Sequence, residues 1–320
     1  MLNNIYGICN FIPGFKDSGI FFMLTAKQLK FISSLHQKKF REEYNCFIAE
    51  GQKIVGEILD SEYRVQGIYA TREWMQNHHH EATNNIPVFE TLPREMQRIS
   101  SLTTPSPVLA VVRIPDYAKK DVTDLTSNPD PPGSSDSIKS EPFTTSADRS
   151  VNPLILALDD IRDPGNLGTI IRIADWFGIG SIMCSHSSVD AYNPKVVQAT
   201  MGSIARVRIY VTDLEKALLH PHTVVRDIPV GPFPVFGAVL EGESIYSTEN
   251  IQGHGIIVIG NESHGISVRL EPLIQHRISI PAASPKGRNR AESLNAAVAA
   301  AIICSEFRRR TFINNENAIS

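Results

Sequence analysis

From Leu154 onward the chain alternates short, wholly apolar runs with helical patterns, and this alternation limits the fold more than any other feature of the sequence. Leu154-Ile155-Leu156-Ala157-Leu158 reads as a buried strand, followed by a helix over about 167–177. Further strands are expected at 181–184, 207–211, 234–239, 255–259 and 277–280, with helices at 194–201, 213–219 and 293–310. Strands apolar at consecutive positions must be covered on both faces. Regular strand–helix alternation therefore predicts an α/β domain with a parallel sheet and helices on both sides.

The first third of the chain has a different rhythm. Residues 25–59 carry a helical pattern in which Leu29, Ile32, Leu35 and Phe40 form one apolar stripe. Lys27, Lys30, Lys38, Lys39 and Arg41 lie on or near the opposite face. A short strand at 46–49 interrupts the pattern, which resumes at 51–59. Strand-like runs at 65–70, 87–89 and 108–114, with a helical pattern at 94–99, complete a small α/β sandwich ending near Ile114. From 117 to 152 Ser, Thr, Asp and Pro dominate, and such a stretch cannot bury enough apolar surface to order itself. The expected layout is an extension over 1–22, a first domain over 23–116, a flexible linker over 117–152, a second domain over 153–312 and a tail over 313–320.

Composition narrows the function classes. The 320 residues are 42% hydrophobic and 20% charged, ordinary values for a globular protein of roughly two domains. A net charge of −3 gives no global positive field, so a nucleic-acid surface must be a local patch. The basic stripe around residues 27–41 is the candidate. Arg308-Arg309-Arg310 reads as charge complementing the end of the last helix. Cys9, Cys46, Cys184 and Cys304 form no CxxC pair, which argues against a disulfide framework or a zinc site and for reduced thiols in the cytoplasm. His78-His79-His80 has no second ligand cluster, so a solvated helix end is preferred to a metal tract. Residues 1–22 lack a basic leader and are broken by Pro13, Gly14, Lys16 and Asp17, unlike a signal peptide. No apolar run of about 18 residues suggests a membrane span.

In open parallel sheets, ligands bind beyond the carboxyl ends of the strands. Three such ends run into loops rich in Gly, Pro and Asn. The first is Asp159-Asp160-Ile161-Arg162-Asp163-Pro164-Gly165-Asn166-Leu167-Gly168, with Arg172 beyond it. Asn166 is placed to cap the helix, and Arg172 follows roughly one and two-thirds turns later. The second, Gly260-Asn261-Glu262-Ser263-His264-Gly265, brackets Glu262 with glycines that let backbone approach a ligand closely. It is not a phosphate-binding loop, because no Lys-Ser/Thr follows. The third is Ile278-Ser279-Ile280-Pro281, an insertion at 282–291 containing Lys286, Arg288 and Arg290, then Glu292-Ser293-Leu294-Asn295 opening an alanine-rich helix. Ser293 is its expected cap. Each loop alone also fits an ordinary structural role.

Together and in this order, Asp-Pro-Gly-Asn-x-Gly-x3-Arg, Gly-x-Glu-x2-Gly and Ile-Pro…Glu-Ser-Leu-Asn-x3-Ala resemble the three motifs of the SpoU (TrmH-like) family of RNA 2′-O-ribose methyltransferases, within the SPOUT superfamily. The resemblance spans about 154–307. The first domain, through Phe47-Ile48-Ala49-Glu50-Gly51 and the stretch Leu102-Thr103-Thr104-Pro105-Ser106-Pro107-Val108, resembles the family's ribosomal-protein-L30e-like substrate-binding domain. The insertion and the long linker depart from the family pattern without removing a motif residue.

The resemblance implies a C-terminal parallel-sheet domain tied in a deep trefoil knot, a rare exception to unknotted topology, and a homodimer. It implies S-adenosylmethionine as cofactor, held by Gly260, Ile280 and Leu294 with Ala238 as a further contact, and no metal. It assigns the active-site positions to Arg172, Asn166, Glu262, Ser293 and Asn295. Arg172 assists loss of the hydroxyl proton or stabilises the developing alkoxide, and it also serves the site of the partner subunit. Asn166 and Glu262 orient Arg172 and the loops, while Ser293 and Asn295 hold the knot and the ribose. RNA is the implied substrate, ribosomal rather than transfer RNA because of the separate first domain. The alternatives are transfer-RNA methylation, base-nitrogen methylation and a catalytically silent knotted dimer that binds RNA and assists ribosome assembly. Ser-Leu-Asn argues against the base, and the full set of Arg172, Glu262, Ser293 and Asn295 argues against silence.

Overall fold

The structure, a computed structural model, describes residues 22–78, 86–119, 154–219, 233–249, 251, 253–283 and 291–319. Cys9, His79, His80, the insertion at 284–290 and the expected linker beyond 119 lie outside the described residues. The chain divides into two compact units, the second taking up most of the chain from Pro115 on.

In the first unit, α1 (Ala26–Ser34) opens with a reciprocal cap. The Thr25 hydroxyl accepts from the Gln28 N–H at 3.2 Å, and Gln28 Oε1 accepts from the Thr25 N–H at 2.9 Å. The helical pattern does not run on as expected. α1 ends at Leu35, and α2 (Lys38–Tyr44) is closed by Asn45 in the left-handed region, φ 54°. This break turns Arg41 inward. Its side chain is buried, and its Nη1 donates to the carbonyls of Leu35 at 2.8 Å and His36 at 2.9 Å. Arg41 thus satisfies the end of α1 and leaves the expected basic face to Lys27, Lys30, Lys38 and Lys39, all exposed.

β2 (Cys46–Glu50), α3 (Gln52–Leu59), β3 (Val65–Ala70), α4 (Arg72–Asn77), β4 (Val88–Glu90), α5 (Pro93–Ile99) and β5 (Val108–Arg113) follow. With β1 (Phe22–Met23) they form a five-stranded sheet in the order β1-β4-β3-β5-β2. β1, β4 and β3 run parallel, while β5 is antiparallel to β3 and β2. Phe22, expected in the extension, is a sheet residue paired with Phe89. His78 ends α4, its ring stacked on Trp74 at 4.5 Å and its Nδ1 2.8 Å from the Trp74 carbonyl.

The second unit opens with a 3-10 turn, Asp116–Lys119. Its Tyr117 ring lies 5.4 Å from Tyr210, and Ala118 is buried. These residues, expected at the seam with the linker, pack on the second unit. Its strands are β6 (Leu154–Leu158), β7 (Ser181–Cys184), β8 (Arg208–Val211), β9 (Val235–Ser244), β10 (Gly255–Ile259) and β11 (His276–Ser279). Their order is β11-β9-β10-β6-β7-β8, every pair parallel. All carboxyl ends therefore share one edge. β6 and β10 are buried at every position, as strands covered on both faces require. Each such Ile or Leu contributes roughly 1.5–3 kcal/mol relative to exposure. The chain builds β6, β7 and β8 in one direction, then returns to lay β9, β10 and β11 on the other side of β6. The switch point falls between β6 and β10, where the first two sequence motifs emerge.

The helices are α6 (Pro164–Trp176), α7 (Pro194–Thr200), α8 (Leu214–Leu219) and α9 (Ala296–Ile319). α6 starts three residues earlier than expected. α9 starts later and continues through the expected tail. Arg308, Arg309 and Arg310 are consequently inside α9 and not at its end. Arg308 donates to the carbonyls of Phe177 at 2.7 Å and Gly178 at 2.9 Å, closing the end of α6. Arg310 donates to the carbonyls of Ile245, at 2.7 Å, and Thr248. Buried Cys184 and Cys304 are free thiols, and burial pushes both up to about 12. Among the described residues no helix is long and apolar enough to cross a membrane.

Candidate active site

The loop after β6 is shaped from both sides. The Asp159 N–H bonds the Ile259 carbonyl at 2.9 Å, and buried Asp159 Oδ2 accepts from the Ser267 N–H at 2.8 Å. Asp160 adopts a left-handed φ of 58°. Its N–H donates to Ser185 Oγ at 2.8 Å, and the Ile161 N–H donates to Ser188 Oγ at 3.2 Å. Ser185 and Ser188 were not singled out from the sequence. The signal was there in Ser185-His186-Ser187-Ser188 directly after an apolar strand.

Asp163, and not Asn166, caps α6: its Oδ1 accepts from the Asn166 N–H at 2.8 Å. The cap sits one residue before Pro164, which fits the first helical position because it needs no N–H partner. Asn166 is thereby placed in the first turn with its amide side chain available. Gly168 faces α7 so closely that a Cβ would lie 2.4 Å from Ala199 Cβ and 2.7 Å from the Val196 carbonyl oxygen.

After β10 the chain makes a tight loop. Asn261 and Gly265 exchange backbone hydrogen bonds at 3.0 and 2.8 Å. Asn261 Oδ1 accepts from the N–H groups of Ser263 at 2.8 Å and His264 at 3.3 Å, and its Nδ2 donates to the Asp160 carbonyl at 2.9 Å. A Cβ on Gly260 would fall 2.2 Å from the Gly265 carbonyl carbon. The glycine thus admits the loop's own backbone, where the sequence suggested room for a ligand.

At the start of α9 the cap is Asn295, two residues past the expected Ser293. Asn295 Oδ1 accepts from the N–H groups of Ala297 at 2.9 Å and Val298 at 3.3 Å. Its Nδ2 donates to Asn166 Oδ1 at 2.8 Å, and Asn166 Nδ2 donates to Glu262 Oε1. Three of the five expected active-site residues form one hydrogen-bonded chain linking α9, α6 and the loop after β10. Ser293 and Arg172 are not joined to it. Both are exposed, and among the described residues neither side chain makes a hydrogen bond or ion pair. Arg172 lies roughly 9 Å further along the axis of α6 than Asn166, on another side of the helix.

The expected cofactor positions line the same sheet edge. Ala238 pairs with Ile259, and Gly260 follows directly. The register between β9 and β11 jumps from Gly237↔Arg277 to Glu243↔Ile278, so residues 238–242 bulge out of the ladder. Ile280 follows β11, and Leu294 precedes the Asn295 cap. Leu294 is 45% exposed and Leu240, in the bulge, is 73% exposed, with Ala238 and Ile280 half-buried. Accessible apolar side chains beside strand-end backbone fit an adenosyl group, which needs a flat apolar contact and a few backbone hydrogen bonds. Among the described residues no group of three or more His, Cys, Asp or Glu side chains could hold a metal ion.

Residues 153–305 match the SpoU rRNA Methylase family and residues 26–110 the MRM3-like substrate binding domain. A TrmH-family structure from Porphyromonas gingivalis is 36% identical, with a TM-score of 0.69 over 90% of this chain and 99% of that one. An AdoMet-bound rRNA methyltransferase from Sinorhizobium meliloti is 27% identical, with a TM-score of 0.70 over 90% of this chain and 96% of that one. The 23S rRNA (guanosine(2553)-2′-O)-methyltransferase RlmP of Bacillus subtilis is 24% identical over 88% of this chain and 96% of its own length. Other curated relatives are matched over as little as 39% of their length. The chain belongs to the SpoU (TrmH-like) family of RNA methyltransferases.

Proposed function

We propose that this protein transfers a methyl group from S-adenosylmethionine to a ribose 2′-hydroxyl of ribosomal RNA. The observation that carries this reading is the Asn295–Asn166–Glu262 chain at the switch point of the parallel sheet, beside the accessible apolar strand ends. The AdoMet-bound relative supports the cofactor, and the relative named as a guanosine 2′-O-methyltransferase of 23S rRNA supports the substrate.

A ribose hydroxyl is a poor nucleophile at neutral pH and must lose its proton as it attacks. S-adenosylmethionine, when bound, supplies an activated methyl group, so no metal is needed for the transfer. Ala238, Gly260, Ile280 and Leu294 hold the cofactor in this reading. Glu262 and Asn166 fix the loop and the first turn of α6 around the ribose. Arg172 stabilises the developing alkoxide electrostatically, and the released hydroxyl proton passes to solvent water.

In this reading the second unit carries the family's trefoil knot, and the protein works as a homodimer in which Arg172 completes the site of the partner subunit. The free, exposed guanidinium of Arg172 supports sharing, since nothing among the described residues of its own chain engages it. Exposed Trp176 on α6 (85%) and Val298 on α9 (47%) supply apolar surface for a second copy. The exposed lysines of α1 and α2 supply phosphate contacts. Calorimetry on the full chain tests the cofactor directly. Saturable binding of S-adenosylmethionine, weakened by Gly260→Val or Leu294→Asp, is expected. No heat of binding well above micromolar concentrations rejects the reading.

A further inference from the structure

We propose that Asn295 is a positioning residue that sets the direction of the hydrogen-bonded chain and so keeps Glu262 Oε2 open as an acceptor for a hydroxyl of the RNA ribose. The inference rests on the methyltransferase reading of this site.

The two ends of an asparagine amide are alike in shape and opposite in chemistry, one accepting and one donating. At Asn295 the choice is forced. The N–H groups of Ala297 and Val298 belong to the first turn of α9 and have no partner inside the helix. Asn295 Oδ1 takes both, at 2.9 and 3.3 Å. Its Nδ2 must then face Asn166, and only the carbonyl end of Asn166 can receive it. That turns Asn166 Nδ2 toward Glu262, whose carboxyl group accepts through Oε1. Each link follows from the one before it. Glu262 Oε2 is left with no hydrogen bond among the described residues, on a half-buried side chain. The family resemblance gives Asn295 to the ribose. Here its oxygen is committed to the helix, and its influence on the reaction runs through Asn166.

This direction can be reversed by substitution. In Glu262→Gln, the new amide offers its oxygen to Asn166 and leaves an N–H group where the open acceptor stood. Stability should stay near that of the native chain, while kcat falls on the order of 100-fold, because the ribose hydroxyl loses its charged hydrogen-bond acceptor and meets a donor instead. In Asn295→Asp the cap survives, because aspartate caps as well as asparagine. The carboxylate now demands a donor from Asn166, whose oxygen is turned against Glu262. The melting temperature should fall by about 5 °C. In the double variant the N–H group of the introduced glutamine meets the turned Asn166 oxygen, and the glutamine's own oxygen becomes the open acceptor.

The experiment is to measure melting temperature and methyl transfer for the native chain and all three variants at mildly alkaline pH. The proposal expects the double variant to be more stable than Asn295→Asp and about tenfold more active than Glu262→Gln. A double variant no more stable than Asn295→Asp overturns the direction of the chain. Recovered stability with no gain in activity over Glu262→Gln overturns the acceptor role of Glu262. Recovered stability in a protein whose native form transfers no methyl group overturns the methyltransferase reading and leaves the chain direction standing.

Discussion

Gly168 rests against Ala199 with no room for a methyl group: a Cβ there would lie 2.4 Å from Ala199 Cβ and 2.7 Å from the Val196 carbonyl oxygen. The motif glycine therefore sets how closely α6 approaches α7, which in turn fixes where Asn166 stands.

Gly168→Ala makes two opposing changes. Alanine favours a helix interior over glycine by about 1 kcal/mol. Overpacking costs about 1–3 kcal/mol, and here one of the groups struck is backbone, which yields poorly. The clash should win. Net destabilisation in denaturant, with weakened S-adenosylmethionine binding, is expected, and a stabilised variant would show that α7 moves aside freely.

Arg41→Ala separates a structural arginine from an RNA contact. Two helix-end carbonyls lose their donor, a loss of about 1–3 kcal/mol. The first unit should melt earlier, while Lys38→Ala and Lys39→Ala, on the exposed face, should weaken RNA binding at unchanged stability. If Arg41→Ala were fully stable and bound RNA poorly, the inward placement of Arg41 would be wrong.

Glu306 gives a pH dependence with a definite sign. Its hydrogen bond from Arg309, then Arg310, holds its carboxyl below the ordinary value of 4.5. A depressed carboxylate contributes stability above its unfolded value and loses it as pH falls through the folded one. Glu306→Gln should therefore melt below the native chain at neutral pH, and the gap should close as the pH falls below the ordinary carboxylate value and through the depressed folded one. A gap that stays constant across that range would mean the ion pairs contribute nothing.

The parallel sheet was legible because its strands are apolar on both faces, a pattern that few other arrangements tolerate. The three loops were legible because Gly, Pro and Asn collect at those strand ends. The caps were not. Asp163, Asn166, Ser293 and Asn295 can all cap a helix, and which one does so depends on where neighbouring elements hold the chain. Asn295 is selected by its bond to Asn166, a residue 129 positions away. Arg41 was misplaced for a related reason. A pattern continued through residues 35–37 puts it with the lysines, whereas the break there turns it inward. Nothing local to the sequence marks that break.

Arg172→Ala should abolish methyl transfer while leaving cofactor affinity nearly unchanged, since Arg172 stands apart from the strand-end loops. Asn295→Ala should also be inactive. Mixed and allowed to exchange, the two inactive chains should recover activity, because a heterodimer with a shared site can assemble one intact centre. Tagging confirms that heterodimers form. Confirmed heterodimers without activity would put both residues in the same chain's site.

The most direct test of the account is to incubate the purified protein with methyl-labelled S-adenosylmethionine and ribosomal RNA from a strain lacking the gene, then map the labelled nucleotide by digestion and mass spectrometry. The label is expected on a ribose 2′-oxygen at a defined position, and to disappear with Arg172→Ala. A label on a base nitrogen, or none at all from a protein that binds S-adenosylmethionine and RNA, would contradict ribose methylation as the function of this chain.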